Sequence, residues 1–244
     1  MKKTILALSL TTAMLFSQAS ITNAESYVDD ILKLQPDISK EELLQDVQMI
    51  ALNTGQSEQV ILEQIYTELK EDEEKGIAEK SANSSGKSGV IAYGGSGGTV
   101  SVGSSTKGNF YYTPSETAYL DHGHVGMYYT STTIVESVPS DGVRTISTSA
   151  RKVDSSGAVV KSVSTSTTNR NNAADWAYSQ VGQSYSYNFA TNRLTGHDGA
   201  KNCSKLIWSA YKLYGNLDLD VDGGLGVYPR DVRDASDTVL VRNI

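Results

Sequence analysis

Apolar residues recur at helical spacing in the first eighty positions and at strand-like spacing beyond them. Leu43, Leu44, Val47, Ile50 and Ala51 form a stripe that follows Ser39-Lys40-Glu41-Glu42, the arrangement of a capping box, and stops before Gly55. A second helix is predicted from near Ser57 through Val60, Ile61, Ile65 and Leu69 into Glu71-Asp72-Glu73-Glu74, and a shorter one over residues 27–34, closed by Pro36. The period is then lost. Residues 81–89, Ser-Ala-Asn-Ser-Ser-Gly-Lys-Ser-Gly, have the composition of a flexible linker. Past it, Val125-Gly126-Met127-Tyr128-Tyr129 and Thr133-Ile134-Val135-Glu136-Ser137-Val138 read as strands separated by a short polar break. Residues 143–163, rich in Thr, Ser and Val and broken at Ser155-Ser156-Gly157, predict one or two more antiparallel strands, and residues 238–241 a last one. Helical spacing returns twice. Asn172 is placed to cap a helix through Ala173, Trp176, Ala177 and Val181 to Gly182. Leu206, Ile207, Ala210, Leu213 and Tyr214 form an apolar face ahead of Gly215, which is expected as its C-terminal cap. Trp176 and Trp208 are expected as core anchors.

Composition divides the same chain electrostatically. Residues 25–80 hold 15 Asp or Glu against 5 Lys, a net charge of −10, whereas residues 81–244 hold 13 acids against 14 bases. Some 50 residues in two or three helices without a disulfide make a marginal fold, so docking on another surface is expected of them. The acidic balance and the lack of basic clusters disfavour nucleic-acid binding. Residues 1–24 read as a secretory signal: Lys2 and Lys3, an apolar run from Ile5 through Phe16, then a polar stretch ending at Ala24. At about 12 residues that run is too short to span a bilayer. The mature chain is expected to start near Glu25, outside the cytoplasm, with no membrane span once the signal is removed.

Such a compartment makes the one cysteine conspicuous, because Cys203 cannot form an internal disulfide there. It falls in the first turn of the predicted helix over residues 202–215, where unpaired N–H groups and the positive dipole end favour a thiolate. Of three histidines, two lie in Asp121-His122-Gly123-His124. If Thr130, Ser131 and Thr132 form a three-residue hairpin loop, Gly126 faces Glu136, and His124 stands one diagonal step from Glu136 on the same sheet face, roughly 7 Å away between backbones. A two-residue loop would send Glu136 to the other face. Gly126 is expected to leave the space between them open. Cys, His and a carboxylate are the set a thiol hydrolase needs: nucleophile, base and orienting acid. His197, six residues before Cys203, is the alternative base. A metal site at His122 and His124 is disfavoured, since no further His or Cys accompanies them and Asp121 alone makes a poor third ligand. No cofactor is expected; the glycine-rich run at residues 94–98 lacks the Lys and Ser/Thr that close a phosphate loop, and the Asp-rich tail from residue 218 fits no EF-hand spacing.

The order Gly-His-Val-Gly, a short hairpin, Ile-Val-Glu, and about 65 residues later Asn-Cys-Ser-Lys-Leu-Ile-Trp resembles the circularly permuted branch of the NlpC-type papain-fold cysteine hydrolases, the YiiX-like and YycO-like group. Lys107-Gly108-Asn109-Phe110-Tyr111-Tyr112 stands where that family has its opening Gly-Asp-Ile-Leu strand, with Asn109 in place of the usual acid. Residues 181–189 are similar to its Gly-x-x-Tyr-x-Tyr-Asn-Phe segment. The resemblance covers about residues 90–241, within an expected catalytic domain of residues 90–244, and implies an α+β, permuted papain-like fold, a helix packed on an antiparallel, barrel-like sheet, with Cys203 as nucleophile, His124 as base and Glu136 as the orienting residue. It implies a cysteine hydrolase acting on amide bonds; with secretion, peptidoglycan peptides become the expected substrate. Residues 25–80 are expected to act as a propeptide masking the groove. Two alternatives remain: thiol chemistry on ester or lipid acyl groups, as in the more distant lecithin-retinol acyltransferases, and a non-catalytic wall-binding module with Cys203 merely buried.

Overall fold

The computed structural model describes residues 24–84, 98–114 and 121–244. The predicted signal, apart from its last residue, and residues 85–97, with the rest of the linker and most of the glycine-rich run, lie outside the described residues. The chain forms two compact units, residues 1–67 and 68–244.

The smaller unit consists of α1 (residues 24–34), α2 (Lys40–Thr54) and the first turns of α3 (Glu58–Ser84). Ser39 caps α2 by accepting from the Glu42 amide at 3.0 Å, and Gly55 closes it in the left-handed region at φ 74°. The predicted stripe is the buried one: Leu43, Val47 and Ile50 are buried, as are Val28 and Ile31 of α1 and Ile61, Leu62 and Ile65 of α3.

The larger unit begins at Glu68, inside α3, where the sequence places an expected boundary at residue 80. The helix also continues through Ser84 into the span expected as linker. The reason is a row of ion pairs made by its later turns, described below. At its centre is a six-stranded antiparallel sheet in the order β5-β4-β3-β2-β7-β8, built from β2 (Phe110–Thr113), β3 (His124–Tyr128), β4 (Thr133–Val138), β5 (Gly142–Ser147), β7 (Val159–Val163) and β8 (Thr238–Asn243). The outer strands β5 and β8 do not pair with each other, so the sheet is open rather than the barrel-like one expected. A two-stranded ribbon, β1 (Val100–Ser101) with β6 (Lys152–Val153), completes the strands.

Alternation along the strands makes two cores. Phe110, Tyr112, Val125, Met127 and Val135 pack with α4 (Thr167–Ser179) and α5 (Cys203–Gly215) through Ala173, Ala177, Leu206, Ile207 and Ala210; Tyr111, Tyr128, Ile134 and Val160 pack with Val102, just after β1, and Val153 of β6. Each large side chain so buried contributes roughly 1.5–3 kcal/mol. Trp208 is buried and Trp176 lies half-buried against the first core. Two helix ends differ from expectation. Ser166, whose hydroxyl accepts from the Asn169 amide at 3.1 Å, starts α4 six residues before Asn172. Asn216, at φ 50°, takes the left-handed cap of α5, leaving Gly215 as the last helical residue. A short α6 (Pro229–Asp234) precedes β8. Among the described residues no helix is long and apolar enough to cross a membrane.

Candidate active site

The hairpin between β3 and β4 sets the geometry. Tyr129 and Thr130 both donate to the Thr133 carbonyl, at 2.9 and 3.2 Å, so Thr130, Ser131 and Thr132 are the loop. Met127 pairs with Val135 and Tyr128 with Ile134. One step further along the same ladder Gly126 faces Glu136, which leaves His124 a diagonal step away, and a 3.0 Å hydrogen bond joins His124 Nε2 to Glu136 Oε2.

The space beside Gly126 is filled, not open. Tyr111, directly across from it on β2, lays its ring there: a Cβ at residue 126 would stand 2.5 Å from Cε1 of that ring. The Tyr111 hydroxyl donates to Glu136 Oε2 at 2.6 Å and accepts from Arg151 Nε, also at 2.6 Å. Arg151 Nε lies 3.0 Å from the same carboxylate oxygen. Arg144, opposite Glu136 on β5, donates to Oε1 through Nε and Nη2 at 3.1 and 2.9 Å. Glu136 is therefore a fully buried carboxylate held by one histidine, one phenol and two guanidinium groups. Burial alone would raise its pKa; the His124 hydrogen bond and the Arg151 charge outweigh it and hold the carboxyl well below the usual range. Sequence reasoning missed Tyr111, Arg144 and Arg151. Arg144 had a signal, because the tight turn at Ser140-Asp141 fixes the β4–β5 register that places it opposite Glu136.

Cys203 is the first residue of α5. The carbonyl of Lys201, two residues ahead, accepts from Ser137 Oγ of β4 at 2.6 Å, which brings the helix start to the strand end carrying His124. Asn202 fixes that start. Its side chain accepts from the Lys205 amide at 3.0 Å and donates to the Asn188 carbonyl at 3.0 Å, while Asn192 donates to it at 3.2 Å. Asn188 is the penultimate residue of the segment 181–189, which thus braces the helix cap. The cap uses the amides of Lys205 and Leu206, and among the described residues those of Cys203 and Ser204 are left over.

The Cys203 sulfur lies close enough to His124 to favour its charged ring, and with Nε2 on Glu136 the ring nitrogen left for sulfur is Nδ1. Burial would depress the imidazole pKa, but the Cys203 sulfur and Glu136 favour the charged ring and raise it, against the opposing charge of Arg151. All three side chains are buried. His197 is elsewhere: it stands over Trp208 at 5.5 Å between ring centres, and burial followed by the Lys205 charge lowers its pKa. Lys205, Trp208 and Lys212 share a helix face that does not include Cys203. His122 and His124 do not converge on a metal. His122 Nδ1 is bonded to Asp72, and among the described residues no group of three or more His, Cys, Asp or Glu is arranged to hold an ion.

An open antiparallel sheet that delivers its histidine strand before the cysteine helix is a papain-like site in permuted order, and the chain belongs to the permuted papain-like amidases. Residues 108–226 match that family, described as permuted papain-like amidase enzymes of the YaeF/YiiX type, family C92. The chain is also 46% identical over 240 residues to the uncharacterized protein YycO of Bacillus subtilis (strain 168), across 98% of this chain and 96% of that protein. No solved structure matches it.

Proposed function

We propose that this chain is a secreted cysteine amidase that hydrolyses amide bonds in peptidoglycan peptides, with Cys203, His124 and Glu136 as its catalytic set. The observation that carries the reading is the buried grouping of Cys203, His124 and Glu136, in which His124 is hydrogen-bonded to Glu136 at 3.0 Å and the Cys203 sulfur favours its charged ring. Sulfur attacks the amide carbonyl carbon as the thiolate, its proton having passed to His124 Nδ1. The tetrahedral oxyanion is stabilised by the free amide at the start of α5. His124 then protonates the leaving nitrogen, the C–N bond breaks, and a thioester remains on Cys203. Water, deprotonated by the same imidazole, attacks the thioester carbon; the C–S bond breaks and a carboxylate leaves. Glu136, itself fixed by Tyr111, Arg144 and Arg151, holds the ring so that Nδ1 faces sulfur throughout.

Secretion and the cell-wall substrate rest on the signal-like residues 1–24, and the reading includes a masking role for the helices of residues 25–80. Purified cell wall incubated with wild-type chain and with Cys203→Ala, followed by mass spectrometry of the soluble fragments, tests it. Fragments with a newly freed amine and carboxylate are expected from the wild type alone. Identical fragment patterns from the two proteins would sink the reading.

A further inference from the structure

The later turns of α3 make a set of contacts that a solvated acidic helix has no reason to make. Glu68, Asp72, Gly76 and Glu79 recur along one helix face. The Glu68 carboxylate accepts from the amides of Leu225 and Gly226, at 2.9 and 3.1 Å to Oε2. Asp72 Oδ2 is bonded to His122 and its Oδ1 accepts from Arg230 Nη1 at 3.1 Å. Glu79 takes Arg230 Nε at 3.1 Å and the Tyr112 hydroxyl at 2.6 Å. Gly76 permits the approach, since a Cβ there would lie 2.5 Å from the Asp121 carbonyl oxygen.

Two adjacent backbone amides, a histidine and an arginine are the groups with which proteins bind carboxylates. They are more than one helix needs. Among the described residues His122 Nε2 and Arg230 Nη2, both buried, have no hydrogen-bond partner, Asp121 Oδ1 lying 3.6 Å from the latter. A buried polar atom left unpaired in this way costs about 1–3 kcal/mol, and the spare Arg230 N–H marks the cradle as shaped for something with an acceptor that the helix does not supply. It also adjoins the nucleophile. Val227, next after the two amides, accepts from Ser204 Oγ at 2.7 Å, beside Cys203, and His122 lies two residues before His124, its ring 4.7 Å from Phe189 and 5.1 Å from Tyr228.

We propose that the cradle formed by the Leu225 and Gly226 amides, His122 and Arg230 is a subsite for a substrate carrying two carboxylates, an acidic peptide, and that Glu68 and Asp72 occupy it in the resting chain as a tethered mimic. This rests on Cys203 being the nucleophile and names both the substrate class and the masking device of that site. An acidic substrate must displace the helix to bind, so the groove opens only to a competitor of matching charge or after α3 is released.

Two full-length variants test it. Gly76→Leu prevents close docking while keeping every carboxylate and every cradle group, and the isosteric pair Glu68→Gln with Asp72→Asn removes the mimic's charge while keeping its shape. Alkylation of Cys203 by iodoacetamide, small and neutral, is followed by mass spectrometry with and without glutarate, with glutaramide as the uncharged control. Both variants are expected to alkylate at least about ten times faster than the wild type, and glutarate, but not glutaramide, is expected to return them toward the wild-type rate. Wild-type rates in both variants would overturn the proposal. So would acceleration that glutarate leaves untouched, which would make α3 a cover without mimicry. Should Gly76→Leu fail to fold by circular dichroism, the isosteric pair decides alone. Alkylation needs only an accessible thiol, so a variant that alkylates and answers to glutarate yet cuts no amide would refute the hydrolase reading and leave this one standing.

Discussion

The larger unit contains two buried clusters of the same four chemical types, and they are closed in different ways. Around Glu136 stand His124, Tyr111, Arg144 and Arg151; around Asp72 stand His122 and Arg230, with Glu79 linking Arg230 to Tyr112. Tyr111 and Tyr112 are neighbours in the chain that alternation sends to different cores. The first cluster draws every member from residues 111–151, mostly from paired strands, so forming the sheet forms the cluster. The second needs a helix from residues 68–84 and a short helix from residues 229–234 to arrive at the same place. Local closure gives a fixed scaffold, the kind of preorganisation a catalytic histidine requires. Distant closure gives a contact that can be undone without unfolding the sheet.

Breaking the clusters one residue at a time sharpens that contrast. The largest effect is expected from Cys203→Ala, which leaves both clusters intact and lowers amide hydrolysis at least about 10³-fold, as measured by fragment release. Next comes Glu136→Gln. It strips Arg151 of its buried counter-charge and should cost about 3–5 kcal/mol of stability in urea denaturation, along with most of the activity. Asp72→Asn should cost less, about 1–3 kcal/mol in the same titration, because Arg230 keeps Glu79. If Asp72→Asn proved the more damaging, the idea that the second cluster is the one that opens would fail. Tyr111→Phe, removing one buried hydroxyl, should cost about 1 kcal/mol and narrow the range of pH over which His124 works.

Acidity separates the clusters more gently. Glu136 has its pKa depressed in the folded chain, so its contribution is complete above the ordinary value of 4.5 and is lost as pH falls through and below it. Asp72 is also depressed, from an ordinary 3.8. The thermal midpoint should therefore stay level down to about pH 5 and fall below it, with a shallower fall in Glu136→Gln; equal slopes in the two proteins would contradict the pairing of Glu136.

Much of the first cluster could be read from the chain because it depends on register. One loop length decides whether His124 and Glu136 meet, and the chain alone states it as a condition that the register of β3 and β4 then meets. Cys203 at a helix start was equally legible from the spacing of Leu206, Ile207 and Ala210. Tyr111 and Arg151 were not, since nothing in a single sequence says which tyrosine fills the gap over a glycine, or that an arginine in a short loop turns inward. The second cluster was hidden by its own charge: Glu68, Asp72 and Glu79 look like the solvated face of an acidic helix, and their partners lie 33 to 158 residues away. Gly76 was the clue. A glycine in a helix interior costs about 1 kcal/mol relative to alanine, and here the cost is met by the approach of the Asp121 backbone.

The complete burial of the Cys203 sulfur has a chemical consequence of its own. Peroxide converts an accessible thiolate to sulfenic acid and then, beyond repair, to sulfinic acid. A sulfur shut inside the protein ages only during its openings, so the length of time a molecule stays competent before its first encounter with substrate is set by how seldom the closed form breathes.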